Sequence, residues 1–154
     1  MTASVLFVCL GNICRSPLAE AALREEARRR GLEVEIDSAG TGNWHAGEPP
    51  DPRAVAEAAR HGVDISGLRA RQVTPEDFHR FTEIVALDRQ NLRDLSRMAP
   101  EGAPARLSLA LDHVTGRRGE DVADPWFGDA SGFELTWKEV GQIARGLADR
   151  LQRD

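Results

Sequence analysis

Cys9 and Arg15 stand six residues apart in Cys9-Leu10-Gly11-Asn12-Ile13-Cys14-Arg15-Ser16. A thiol and a guanidinium at that spacing suit phosphoryl transfer. Backbone N–H groups that curl in front of a helix N-terminus form a cradle for a tetrahedral dianion. The same field favours a thiolate at the base of the cradle. The planar fork of Arg15 can hold two phosphate oxygens. Cys9 is thus read as the nucleophile, Leu10, Gly11, Asn12, Ile13 and Cys14 as the amide cradle, and Arg15 as the clamp. Cys and Arg alone at this spacing recur by chance, and the flanks decide the matter. The apolar run Val5-Leu6-Phe7-Val8 precedes the loop, and Gly11 and Asn12 tolerate unusual backbone angles. Ser16-Pro17 reads as an N-cap followed by the first helical residue.

Attack of a thiolate on a phosphate ester expels an alkoxide or phenoxide that needs a proton. The cradle has none to give. Asp124-Pro125-Trp126, in a polar loop late in the chain, supplies a candidate acid. Pro125 stiffens the backbone beside it. Trp126 and Phe127 are expected to form an apolar wall that desolvates the carboxyl. The competing reading is an ordinary turn opened by Asp-Pro.

The elements that must position these groups alternate between strand and helix. Strands are expected at Ser4–Val8, at Val34-Glu35-Ile36, from Glu83 to Leu87, and at Leu107-Ser108-Leu109. A helix is expected from Pro17 to about Arg30, ended by Gly31, with Arg28-Arg29-Arg30 favoured at its C-terminus by the helix dipole. Asp51-Pro52 caps a second helix that carries Val55, Ala58 and Ala59 to Gly62. Thr74-Pro75-Glu76-Asp77 opens another helical turn, and Asp88 caps a helix with Leu92 and Leu95. Phe133, Trp137, Val140, Ala144, Leu147 and Leu151 form one apolar stripe on a last helix. Strands separated by helices imply parallel pairing with right-handed crossovers, hence a single three-layer α/β domain over 1–154 with a four-stranded sheet. Ligands in such folds bind beyond the C-terminal strand ends, where Cys9 falls.

Composition sets the outer bounds. The chain has 154 residues, 41% hydrophobic and 29% charged, which suits one globular domain. A net charge of −5 argues against a general nucleic-acid binder and against an anionic membrane surface as partner. No long apolar segment or basic leader is visible. Cys9 and Cys14 share one loop and cannot staple a fold, so a reducing, cytoplasmic setting is expected. The histidines His45, His61, His79 and His113 lack paired spacing, and neither a metal site nor a cofactor is expected.

Taken together, Val8–Pro17 with Ala19-Glu20, and the late Asp124-Pro125-Trp126-Phe127-Gly128, resemble the low-molecular-weight protein-tyrosine phosphatases. The likeness extends through Ser38-Ala39-Gly40-Thr41, Trp44-His45, His61-Gly62, Ala70-Arg71-Gln72, Asp88 and Asn91-Leu92, nearly the whole chain. It implies that Cys9 is the nucleophile, Arg15 the clamp, and Asp124 the general acid that later activates water. Ser16 would steady the thiolate as it leaves, Asn12 and Ser38 would hold the loop, and Trp44 and Trp126 would wall the substrate ring. Substrates would be phosphotyrosine-containing proteins, with a tyrosine kinase as a candidate partner. Oligomeric state is left open. The chain departs from the family in three ways. Leu68 stands where the family commonly has a histidine bonded to the loop asparagine. Trp126-Phe127 replaces a Tyr-Tyr pair. The chain has no tyrosine at all, which excludes control by phosphorylation of that pair.

Three other functions compete. An arsenate reductase of this fold relays a disulfide through downstream cysteines, and none follows Cys14. A protein-arginine phosphatase resembles this chain but carries a hydroxyl residue where Ile13 stands, and an apolar group there should favour a flat aromatic ring. A mere phosphate-binding module would need neither Cys9 nor Asp124.

Overall fold

The computed structural model describes residues 2–154. Its centre is β1, Ala3–Cys9, in which Val5, Leu6, Phe7 and Val8 have no exposed surface. Alternate residues of a strand face opposite ways. Val5, Phe7 and Cys9 pack with Leu18, Leu23, Ile143 and Leu147, whereas Leu6 and Val8 pack with Phe78, Phe81 and Leu95. Burial on both faces explains why β1 reads as an unbroken apolar run. The helices α1 (Arg15–Arg30), α2 (Pro52–Arg60) and α5 (Ala130–Arg153) cover the first face. The short α3 (Asp77–Arg80) and α4 (Arg89–Met98) cover the second. With β2 (Val34–Gly40), β3 (Glu83–Ala86) and β4 (Arg106–Leu109), the sheet runs β2-β1-β3-β4, parallel throughout. The chain leaves β1 for one side and returns to the other, so a crevice opens beyond the C-terminal ends of β1 and β3.

Local signals set several boundaries. Gly31 ends α1 at φ 64°, a left-handed conformation that costs glycine little. Asp51 and Asp88 accept the backbone N–H of Arg53 and Asn91, and so cap α2 and α4. The expected stripe of α5 is inward: Phe133, Val140, Ala144 and Leu147 are buried, with Trp137 and Leu151 half-buried beside them.

Two expectations need correction. β2 runs to Gly40, well past Ile36. Polar Asp37 and Ser38 hide the strand pattern, but both stay in register with β1, opposite Leu6 and Phe7. α1 begins at Arg15 with Cys14 in the cap position, so Ser16 is not its N-cap. Pro17 still fits, because the first four N–H groups of a helix have no intrahelical acceptor.

The return from β4 brings the late loop to the crevice. After a 3-10 turn at Ala110–His113, Val122 N–H donates to Leu87 O at 2.9 Å, and Leu87 N–H donates to Val8 O at 3.0 Å. Asp124 therefore arrives beside the end of β1. The 3-10 turn lies hard against α5: a Cβ on Gly146 would sit 1.8 Å from His113 O, so only glycine fits there.

Candidate active site

Five residues join β1 to α1, and their backbone wraps around the Cys9 sulfur. Asn12 makes the turn at φ 59°, unusual for a residue with a side chain. Its N–H donates to Cys9 Sγ at 3.3 Å. The N–H groups of Gly11, Ile13, Cys14 and Arg15 donate to no acceptor among the described residues, which leaves them for an anion. Cys9 is 3% exposed at the base of this cradle.

The side chain of Asn12 holds its own strained backbone in place. Nδ2 donates to Ser16 Oγ at 2.8 Å and to Ser38 Oγ at 3.0 Å, and Oδ1 accepts from Arg71 N–H at 3.0 Å. Ser16 Oγ accepts from Asn12, so its own proton is left for Cys9 Sγ at 3.1 Å, the nearer of its two remaining partners. Ser38 in turn donates to Glu20 Oε1 at 2.7 Å, a carboxylate 1% exposed within α1. The network is thus closed by Glu20 and by the Arg71 backbone, while Leu68 packs half-buried against apolar core.

Arg15 is buried, and one arm of its fork is committed. Nη1 donates to Asp88 Oδ2 at 2.7 Å and to Val122 O at 2.9 Å. Nε and Nη2, the pair that can grip two oxygens, make no hydrogen bond among the described residues. Nη2 lies 3.7 Å from Asp124 Oδ2. Asp88 therefore does two jobs: Oδ1 caps α4 and Oδ2 aims Arg15.

Asp124 sits at the rim with its side chain 35% exposed. Oδ1 accepts from Trp126 N–H at 3.0 Å and caps a 3-10 turn at Pro125–Phe127. The turn reading of Asp-Pro and the acid reading are thus compatible, because the second carboxylate oxygen faces the cradle. One pocket contains Cys9, Ile13 and Arg15 in its floor, Leu10, Trp44 and Trp126 in its walls, and Asp124 at its edge. Phe127 also borders this pocket, as expected, but as its outermost wall: its ring is 90% exposed. Trp44, 68% exposed, and Trp126, 41% exposed, are partly open walls.

Cys14 is buried, and its thiol is pushed far above the ordinary thiol range. Burial is the main cause, followed by the nearby charges of Asp51, Cys9 and Asp124. No group of His, Cys, Asp or Glu among the described residues could hold a metal ion.

Sequence reasoning took Asp51 and Asp88 only for helix caps and gave no role in the site to Glu20 as a side chain, to Arg53 or to Val122 O. For Asp51-Pro52-Arg53 a faint signal existed, since a cap aspartate two residues before an arginine can chelate it. Nothing in the sequence marks a backbone carbonyl such as that of Val122.

A thiol cupped by a strand–loop–helix turn, with a guanidinium and a carboxylate above it, is the site of a cysteine-loop phosphatase. The family model described as low molecular weight phosphotyrosine protein phosphatase matches residues 4–154. A low molecular weight protein-tyrosine-phosphatase of Streptomyces coelicolor is 45% identical over 96% of this chain and 92% of its own length. A crystal structure of a protein tyrosine phosphatase from Entamoeba histolytica superposes with a TM-score of 0.93, at 31% identity over 99% of this chain and 98% of the other. A Drosophila arginine phosphatase superposes at 0.90, with 30% identity over 95% and 96% of the two chains. The chain belongs to the low-molecular-weight family of protein-tyrosine phosphatases.

Proposed function

We propose that this domain hydrolyses phosphotyrosine in proteins through a cysteinyl-phosphate intermediate, with Cys9, Arg15 and Asp124 as the reacting and charge-stabilising groups. One observation carries the assignment: Cys9, Arg15 and Asp124 line one pocket, with Arg15 paired to Asp88 behind it and 3.7 Å from Asp124 at its edge. In the first step Cys9 Sγ forms a bond to phosphorus, the ester P–O bond breaks, and Asp124 gives its proton to the departing phenoxide. The cradle amides and Arg15 hold the charge that spreads over the equatorial oxygens. In the second step Asp124 takes a proton from water, the water oxygen bonds to phosphorus, and the S–P bond breaks. Ser16 Oγ, 3.1 Å from Sγ, then donates to the released thiolate. Asn12 and Ser38 keep the loop in shape.

The pocket supports an aryl ester. Cys9 is nearly buried beneath walls of Leu10, Trp44 and Trp126, so the reacting phosphate must sit at the end of a flat, rigid group. Phosphoserine has no ring to pack against those walls. The specific observation against phosphoarginine is Ile13, 7% exposed in the floor, which offers no hydroxyl to a guanidinium. Substrates of this class imply a tyrosine kinase upstream. A nucleophile that must remain a free thiol fits a reducing compartment, and the cytoplasm is the proposed location. No described helix is long and apolar enough to cross a membrane.

Sensitivity of Cys9 to oxidation belongs to the same proposal. Its disulfide capture by Cys14 has less support: attack needs a thiolate, and the environment of Cys14 keeps it protonated. Brief peroxide should inactivate the enzyme, and dithiothreitol should then recover the Cys14→Ser variant as well as it does the parent. Poor recovery of that variant alone would give Cys14 a protective role. The function itself is tested by kcat/KM on phosphotyrosine, phosphoserine and phosphoarginine versions of one peptide. Phosphotyrosine should lead by more than about 10²-fold, the scale on which a pocket with fixed polar and apolar walls discriminates. Comparable rates on phosphoarginine would overturn the reading.

A further inference from the structure

We propose that Arg53 is a positioning residue that sets the acid loop against the anion cradle. The proposal rests on Asp124 being the general acid. Arg53 lies at the start of α2, outside the pocket, and touches neither Cys9 nor Asp124. Its guanidinium reaches two ways. Toward α2, Nε and Nη2 chelate the Asp51 carboxylate at 3.0 and 2.9 Å. Toward the acid loop, Nη1 donates to Gly128 O at 3.0 Å and Nη2 to Trp126 O at 3.3 Å.

Asp51 connects this bracket to the cradle. Its backbone N–H donates to Ile13 O at 2.9 Å, on the loop that encloses the sulfur. Its carboxylate is 6% exposed and is held below the usual carboxylate range by Arg53, so the pair stays ionised. The guanidinium also lies 4.7 Å from the centre of the Phe133 ring, buried at the start of α5, and 5.7 Å from that of Trp126. Cradle, α2 cap, acid loop and α5 therefore meet at one planar side chain.

The acid loop needs such a bracket. Asp124 is tied to its own turn through Trp126 N–H, which fixes the carboxyl relative to the turn but not the turn relative to the sulfur. On the cradle side, Val122 is anchored to Leu87, before Asp124. Arg53 anchors the carbonyls after it. Two fixed ends hold the Asp124 carboxyl at one distance from the leaving oxygen. A shift of about 1 Å there is enough to slow proton transfer without touching the nucleophile.

The experiment measures kcat/KM on phenyl, 4-nitrophenyl and 2,4-dinitrophenyl phosphate, whose leaving groups need the proton progressively less. Arg53→Ala should lose about tenfold or more on phenyl phosphate and less than about threefold on the dinitrophenyl ester. Inhibition by inorganic phosphate should stay within about twofold, since the cradle amides and Arg15 remain. In an Asp124→Asn background Arg53→Ala should cost less than about twofold further, because its effect runs through that carboxyl. Arg53→Lys keeps the charge and stem but not the fork. It should fall between, and it is read in the same way where the alanine variant folds poorly. An equal loss on all three esters, or losses that multiply in the double variant, would overturn the bracket and leave the acid assignment standing. If Asp124→Asn alone shows no dependence on the leaving group, the acid assignment fails and the bracket with it.

Discussion

The cradle and the acid loop face each other across the crevice but are built on opposite terms. In the cradle Cys9, Asn12, Arg15 and Ser16 are all nearly or fully buried, and their polar atoms find partners on β2, on α1, beyond α2 and at the cap of α4. In the acid loop Asp124 is a third exposed, Trp126 more so, and Phe127 almost fully. The contrast fits the proposed chemistry. Groups that stabilise a dianion act best when nothing must reorganise around them, which requires burial and a fixed network of hydrogen bonds behind the donors left free for the ligand. The group that protonates the leaving oxygen must meet an ester that arrives from solvent, so it sits at the rim on a short turn.

The largest expected effect comes from removing the nucleophile while the cradle stays whole. Cys9→Ser should lower kcat by about 10⁴-fold or more, since a hydroxyl does not ionise at neutral pH as a thiol can. Phosphate affinity, read by calorimetry, should hardly change. Retained turnover would mean that the cradle binds without the covalent step.

Next in size is Asp124→Asn, with a loss of roughly 10²–10⁴-fold on phenyl phosphate that shrinks as the leaving group becomes more acidic. Thermal unfolding should be unaltered, because the exposed loop adds little to the core. A drop in stability comparable to that of a cradle variant would erase the distinction between the two regions.

A third comparison pairs Asn12→Ala with Phe127→Ala. Asn12→Ala removes three hydrogen bonds and leaves alanine at a positive φ, so urea denaturation should show a cost of about 2–4 kcal/mol. Phe127→Ala should stay within about 0.5 kcal/mol of the parent, as expected for an exposed ring. Equal costs would show that the exposed loop is integral to the fold.

The smallest effect lies outside both regions and serves as their control. His113 is held below the ordinary histidine range, first by burial and then by the positive charge of Arg150. The unfolded chain therefore takes up the proton first as pH falls. Stability should be full above a pH of about 6.5, the ordinary histidine value, and should decline below it toward the folded value. His113→Gln should reduce the fall in melting temperature between about pH 7.5 and 5.5 relative to the parent, with the phosphatase rate at neutral pH as the check that the crevice is untouched. An unchanged pH dependence would assign the acid loss to other groups.

Much of this could be read from short stretches. The run Val5–Val8, the stripe of α5, the caps at Asp51 and Asp88, and the stop at Gly31 all depend on residues within a few positions of one another. β2 escaped at its C-terminal half because Asp37 and Ser38 look like loop residues until their partners are known: Arg71 for one, Asn12 and Glu20 for the other. The Ser16 hydroxyl was misread as a cap for the same reason, since its actual partners lie in the cradle.

The sequence by itself determined the order of strands and helices and the loop that carries Cys9, because backbone propensity, capping and apolar periodicity act over a turn or two of chain. Only the tertiary structure decided what aims Arg15. Its two acceptors, Asp88 and Val122 O, lie 73 and 107 residues away, and they meet at the guanidinium because the chain adds β2 on one side of β1 and returns to add β3 on the other. It also decided how far each ring of the acid loop is covered: both border the crevice, but Trp126 is 41% exposed and Phe127 90%. A three-residue turn carries both rings, and only its anchorage to Leu87 and Arg53 says where the turn itself stands.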